Sequence, residues 1–167
     1  AMTHQGDAGR GGRLFTDEQR LACSRCHTTD GKGGKAGPDL FAIGDKFGRR
    51  ELVDSMIAPS ATIAVGYSTT IVRSKSGDVY DGIIKETTDD GGVALLGADG
   101  RLIRLRADEI ARRRTTDVSL MPEGLQAGLT LQEFADLTDY LASLKLPESI
   151  AANHRGMPAA IDVLAAP

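Results

Sequence analysis

Apolar residues recur at helical spacing toward both ends of the chain and at strand-like spacing in its middle. Residues 7–21 read as a helix, with Asp7 as N-cap and Gly11 and Phe15 four apart on one face. Glycines at 9, 11 and 12 weaken that helix, so Gly11 predicts close approach of another helix. Residues 49–57 form a second helix with Leu52, Val53, Met56 and Ile57 on its apolar face, and Pro59 follows its end. The last has a capping box, Thr130 with Glu133, and a staple from Leu129 to Phe134. Phe134, Leu137, Leu141 and Leu144 form its buried stripe, Tyr140 lies beside it and Pro147 ends it.

Between residues 62 and 114 the pattern changes. Residues 67–73 and 79–85 are β-branched and strand-like, joined by a turn at Ser76-Gly77-Asp78. Gly82 marks a bend in the second of them. Residues 93–98 and 101–106 flank Asp99-Gly100, a hairpin signal. Residues 108–112 read as one helical turn. These signals predict a mainly α body with an inserted small antiparallel β sheet or partial barrel, α+β overall. The predicted division is a split helical domain (7–61 and 115–146), a β insertion (62–114) and a tail or linker (147–167). The strand order of the insertion loosely resembles an SH3- or Sm-like barrel, an analogy of fold that carries no function.

Charge narrows the partners. A formal net charge of −3 argues against nucleic acid, and no stretch is long or apolar enough to span a membrane. Aromatic residues make up only 4%, which suits a small core completed by a flat apolar cofactor.

The chemistry centres on Cys23-Ser24-Arg25-Cys26-His27, the attachment signature for c-type haem. Each thiol adds to one vinyl group of the porphyrin. The short intervening loop keeps both sulfurs on one edge of the ring, and the next residue turns its imidazole under the iron. The competing readings are a Cys-x-x-Cys redox pair, which wants a βαβ context, and half a zinc site, which wants further ligands. These are the only two cysteines, and the other histidines, His4 and His154, lie near the termini. Covalent haem attachment implies a periplasmic or exported protein whose leader is absent from this chain.

The Gly-rich loop 31–37 lacks phosphate-loop spacing and reads as a wrap around a haem edge. After it, the Pro38 carbonyl can accept a hydrogen bond from His27 Nδ1 and fix the ring. Leu40, Ile43 and Phe47 are apolar enough to line a pocket. For the sixth ligand the best candidate is Met121, a soft thioether on a loop held extended by Pro122. Met56 reads as core, in step with Leu52. Met157-Pro158 lacks a following helix to position it. Arg112-Arg113-Arg114 reads as a solvated face, with a propionate salt bridge or a docking patch for an acidic partner as functional readings.

Together, the first helix, the haem motif, the Met121-Pro122 loop and the closing helix with Tyr140-Leu141 resemble class I cytochrome c. The chain is more closely similar to a planctomycete-type haem-binding (CxxCH) domain family. The matching stretches are Gly12-Arg13-Leu14-Phe15, Gly37-Pro38-Asp39-Leu40, Ile57-Ala58-Pro59-Ser60, Gly66-Tyr67, residues 119–125 and Asp136-Leu137. The resemblance covers roughly residues 9 to 145 and leaves the tail aside. It implies a mainly α cytochrome c fold around the insertion, one covalent haem c, a crossing of the first and last helices at a glycine, and a Met as second axial ligand. It also implies an electron-accepting role beside dehydrogenase-like modules.

The expected function is single-electron transfer by Fe(II)/Fe(III) cycling, not enzyme catalysis, with a dehydrogenase or oxidase as redox partner. The expected site is Cys23 and Cys26 for attachment, His27 and Met121 on iron, and Pro38, Leu40, Ile43 and Tyr67 around the haem. The alternative is a haem-based sensor or small-ligand module with a labile Met. An exposed edge strand of the insertion offers a route to a dimer.

Overall fold

The computed structural model describes residues 4–31 and 33–147. Met157, His154 and all of the tail except Pro147 lie outside the described residues. Four α-helices, α1 (Ala8–Thr16), α2 (Ile43–Lys46), α3 (Arg49–Ile57) and α4 (Leu131–Ser143), surround one apolar cluster. Five strands, β1 (Thr69–Ser74), β2 (Val79–Thr87), β3 (Val93–Leu96), β4 (Leu102–Leu105) and β5 (Ile110–Thr115), form an antiparallel sheet in the order β4-β3-β2-β1-β5.

The expectation of a mainly α cytochrome c fold does not hold. The described chain is α+β, with 31% helix and 22% strand, and its sheet is a major layer. Two physical causes account for the difference. First, α1 ends at Thr16 and not near 21, because the Asp17 side chain accepts the Gln19 N–H and turns the chain. Second, the sheet has a fifth strand where a helical turn was expected, and the basic run, exposed as expected, is part of that strand. Only Ala107–Glu109 turns, as a short 3-10 segment. Arg112 to Arg114 then pair with Arg73 to Ile71 of β1. Backbone hydrogen bonding builds this strand, so side-chain periodicity carries no trace of it.

The helical core consists of Phe15, Leu52, Val53, Met56, Phe134, Leu137 and Leu141. Its densest contact is the crossing of α1 and α4. A Cβ built at Gly11 would overlap the Asp136 carbonyl oxygen and stand 2.7 Å from Tyr140 Cβ. The Phe15 and Tyr140 rings meet beside it, 5.5 Å between centroids. The sheet has a separate core of Val72, Val93, Leu95 and Leu105.

Asp136, only 1% exposed, is the polar bolt of the helical crossing. It accepts hydrogen bonds from the Asp7 N–H, Arg10 Nε, Arg10 Nη2 and Gln132 Nε2. The Arg10 guanidinium holds its carboxyl well below the usual range, against the opposing effect of burial. A carboxyl depressed by folding contributes stability above its unfolded value and loses that contribution as pH falls through the folded one. Asp136→Ala is expected to cost about 3 kcal/mol at neutral pH, the low end for a broken buried pair because Arg10 is half exposed. Urea titrations down the pH scale check both points. Wild-type stability should fall below about pH 4, and the variant should lose much of that acid slope.

Candidate haem-attachment site

The chain enters the motif through Ala22, whose φ of 51° is left-handed and so unusual for a residue with a side chain. That kink starts a 3-10 turn over Cys23–Arg25, in which the N–H groups of Cys26 and His27 both donate to the Cys23 carbonyl. The glycine-rich loop is stitched back onto the turn. Gly34 N–H donates to the Ser24 carbonyl, Gly37 N–H to Cys26 and Leu40 N–H to Thr28. Gly34 lies so close to the Arg25 carbonyl that any Cβ there would collide with it.

His27 Nδ1 lies 2.8 Å from the Pro38 carbonyl oxygen. A carbonyl only accepts, so Nδ1 carries the proton and Nε2 keeps its lone pair. Burial pushes the imidazole down from its ordinary value, with the Pro38 bond partly opposing, so the ring is neutral at neutral pH. A neutral imidazole is the ligand form. Gly37 packs directly on this ring: a Cβ there would come within 2.5 Å of Cε1 and 2.9 Å of Nε2.

Both cysteines are free. Burial pushes the Cys23 thiol up to about 11. It raises the Cys26 thiol too, with Arg25 opposing. A redox Cys-x-x-Cys pair works through a thiol pushed the other way, so these environments disfavour thiol–disulfide exchange. Among the described residues no three His, Cys, Asp or Glu side chains are placed to hold a metal ion. A zinc site needs such convergence. Haem attachment does not, since the sulfurs bond to carbon and only the imidazole and one further ligand reach the metal.

Cys23, Leu40, Ile43 and Met121 all pack against the helical core cluster. The Met121 loop is tied down at two points. Met121 N–H donates to Ser119 Oγ at 3.1 Å, and Ser119 N–H to Ser60 Oγ, just after α3, at 3.2 Å. Met56 lies inside the cluster, 7% exposed, as core. Tyr67 is not brought to this cluster. Its ring sits 5.1 Å from Lys85 Nζ on the sheet.

Three residues, Thr28, Gln126 and Ala98, had no reading as site residues in the sequence, and the contact of Gly37 with the His27 ring was not read from its loop. Gly37 could have been suspected from its place before Pro38. Thr28 Oγ1 and Gln126 Oε1 are buried without a partner, one beside His27 and the other just past the Met loop. Ala98, in the β3–β4 turn, brings its carbonyl oxygen to 3.9 Å from Cys26 Sγ, and nothing local signals that contact.

Two further clefts lie away from the motif. One of about 230 Å³ is flanked by Arg10, Arg13, Asp17 and Glu133. The other, about 510 Å³, runs along Glu86, Asp90, Ala94 and Arg104 on the sheet. Some of the charges along them are paired internally, as in Arg10–Asp136 and Arg104–Glu86.

No protein-family model matches the chain, and no curated protein matches it in sequence. Among the described residues no helix is long and apolar enough to cross a membrane.

Proposed function

We propose that the chain is a monohaem c-type cytochrome in its chemistry, a carrier of single electrons and not an enzyme. The observation that carries this reading is the hydrogen bond from His27, at the end of the Cys23–His27 turn, to the Pro38 carbonyl across the loop. It leaves Nε2 as a ligand nitrogen on the residue directly after Cys26 and four after Cys23, in one tight turn. The residues fit the group. Cys23 and Cys26 would hold it by thioether bonds, His27 and Met121 would take the iron, and Leu40 and Ile43 would border it. When bound, haem c supplies a one-electron Fe(II)/Fe(III) couple. The chain's own part is to orient the imidazole through Pro38, to fix Met121 through Ser119 and Ser60, and to exclude water with the helical core. A periplasmic dehydrogenase is the proposed electron donor, and the likeness to haem-binding domains rests on the motifs quoted above.

A haem-based sensor is the second reading. The observation favouring it is that the Met121 loop follows β5 closely, with Thr116 N–H still bonded to Thr69 of β1. A shift of the sheet would therefore reach the ligand.

Spectra of the purified chain in both redox states, with and without carbon monoxide, test these readings. An electron carrier should show a ferric thioether charge-transfer band and resist carbon monoxide. Rapid carbon monoxide binding by the reduced wild type favours the sensor, and the lack of any haem spectrum after expression with a haem-maturation system refutes both. Met121→Ala should abolish the band, lower the reduction potential and open the reduced protein to carbon monoxide. Met56→Ala should keep the band while costing about 2–5 kcal/mol of stability as a core truncation. Met157→Ala should also keep it.

A further inference from the structure

Most arginines in the described chain sit beside a carboxylate, among them Arg10, Arg20, Arg49 and Arg104. Arg13 on α1 does not, and neither do four that lie together, Arg73, Arg112, Arg113 and Arg114. All four are exposed, and among the described residues none of their side chains has an ion pair or hydrogen bond. They gather on β1 and β5, at one edge of the sheet.

Register makes the cluster tighter than the sequence suggests. Arg112 is paired directly opposite Arg73, so two like charges face each other across neighbouring strands. Such a pair is destabilising. Arg114, two residues on, shares their face, while Arg113 takes the other. The one acidic residue set in the same row is Asp81, across Ile71 from Arg114. Two strand spacings, about 10 Å between their backbones, separate them, and no ion pair joins them among the described residues. The chain as a whole carries −3, so this concentration of positive charge runs against its average.

β5 is also an edge strand, and among the described residues no strand pairs with its outer side. From these observations we propose that the β5 edge binds an extended acidic segment of a partner protein. The segment adds as a strand beside β5 and sets carboxylates of alternate residues on Arg112 and Arg114. Main-chain hydrogen bonds supply affinity, and the alternating acids supply specificity. A second copy of this chain is the poorer occupant, because edge-to-edge pairing would bring the two arginine runs together. The inference does not depend on the haem reading, since the edge is built entirely from the sheet.

Fluorescence anisotropy on the full chain tests it, with a labelled peptide of alternating Glu and Thr as probe. The alternating peptide should bind, and a block-ordered peptide of the same composition should bind about tenfold more weakly. Arg112→Glu combined with Arg114→Glu should weaken the alternating peptide at least about tenfold, and raised salt should weaken it as well. Arg73→Gln should lower affinity by a smaller factor and raise thermal stability, because it removes the like-charge pair. Circular dichroism confirms that each variant stays folded. Equal affinity for the block peptide, no effect of the charge reversals, tighter binding of single-stranded oligothymidylate, or self-association in place of peptide binding would each overturn the proposal.

Discussion

Replacing both Cys23 and Cys26 with Ala is expected to abolish covalent haem. Wild-type haem should stay with the polypeptide through acid–organic extraction, and the double variant should lose all of it to the organic phase. Cys23→Ala and Cys26→Ala singly should each keep a weaker, one-thioether attachment. The two singles should also differ. Cys23 packs against the helical core, whereas Cys26 lies under the β3–β4 turn near the Ala98 carbonyl. Losing Cys23 removes packing as well as a bond, so Cys23→Ala should lower the melting temperature more than Cys26→Ala. Haem that extracts freely from the wild type would refute covalent attachment, and with it the proposed function.

Gly11→Val should leave no cooperatively folded protein, or one destabilised by more than about 3 kcal/mol. The neighbour in its way is the α4 backbone at Asp136, which cannot swing aside as a side-chain tip would. Displacing α4 would also break the Arg10–Asp136 pair and separate Phe15 from Tyr140. Gly9→Ala serves as the control two residues away. There the nearest atom is Asp7 Oδ1 at 3.2 Å, on a side chain that can move. The gain in helix propensity, up to about 1 kcal/mol, should offset most of that crowding. Thermal melts followed by circular dichroism decide it. Comparable stability in the two variants would mean that the helices do not cross at Gly11.

The contact of Ala98 with Cys26 gives the sheet a place in the site. Strands β3 and β4 reach the attachment motif through their turn, while β1 and β5 lead toward the Met121 loop through Thr69 and Thr116. The sheet thus meets the helical body at two ends of one row, and the basic β5 edge remains exposed.

Local chemistry was legible in the sequence wherever it acts over a few residues. The Thr130–Glu133 capping box, the Asp7 cap, the helix at 49–57, the hairpin at Asp99-Gly100 and the reach of His27 toward Pro38 all follow from short-range hydrogen bonding and spacing. Gly11 was legible as well, because a glycine in a helix costs stability unless something packs on it. Interactions between distant segments were decided only by the tertiary structure. β5 exists because β1 offers it backbone partners, so a run of arginines with no apolar rhythm became the fifth strand of the sheet. Asp136 is bound on four sides by groups from Asp7, Arg10 and Gln132, and nothing near it in sequence marks it as buried. Tyr67 turned to Lys85 on the sheet. Backbone pairing and buried charge depend on which surfaces meet, and a linear pattern records only what each residue prefers by itself.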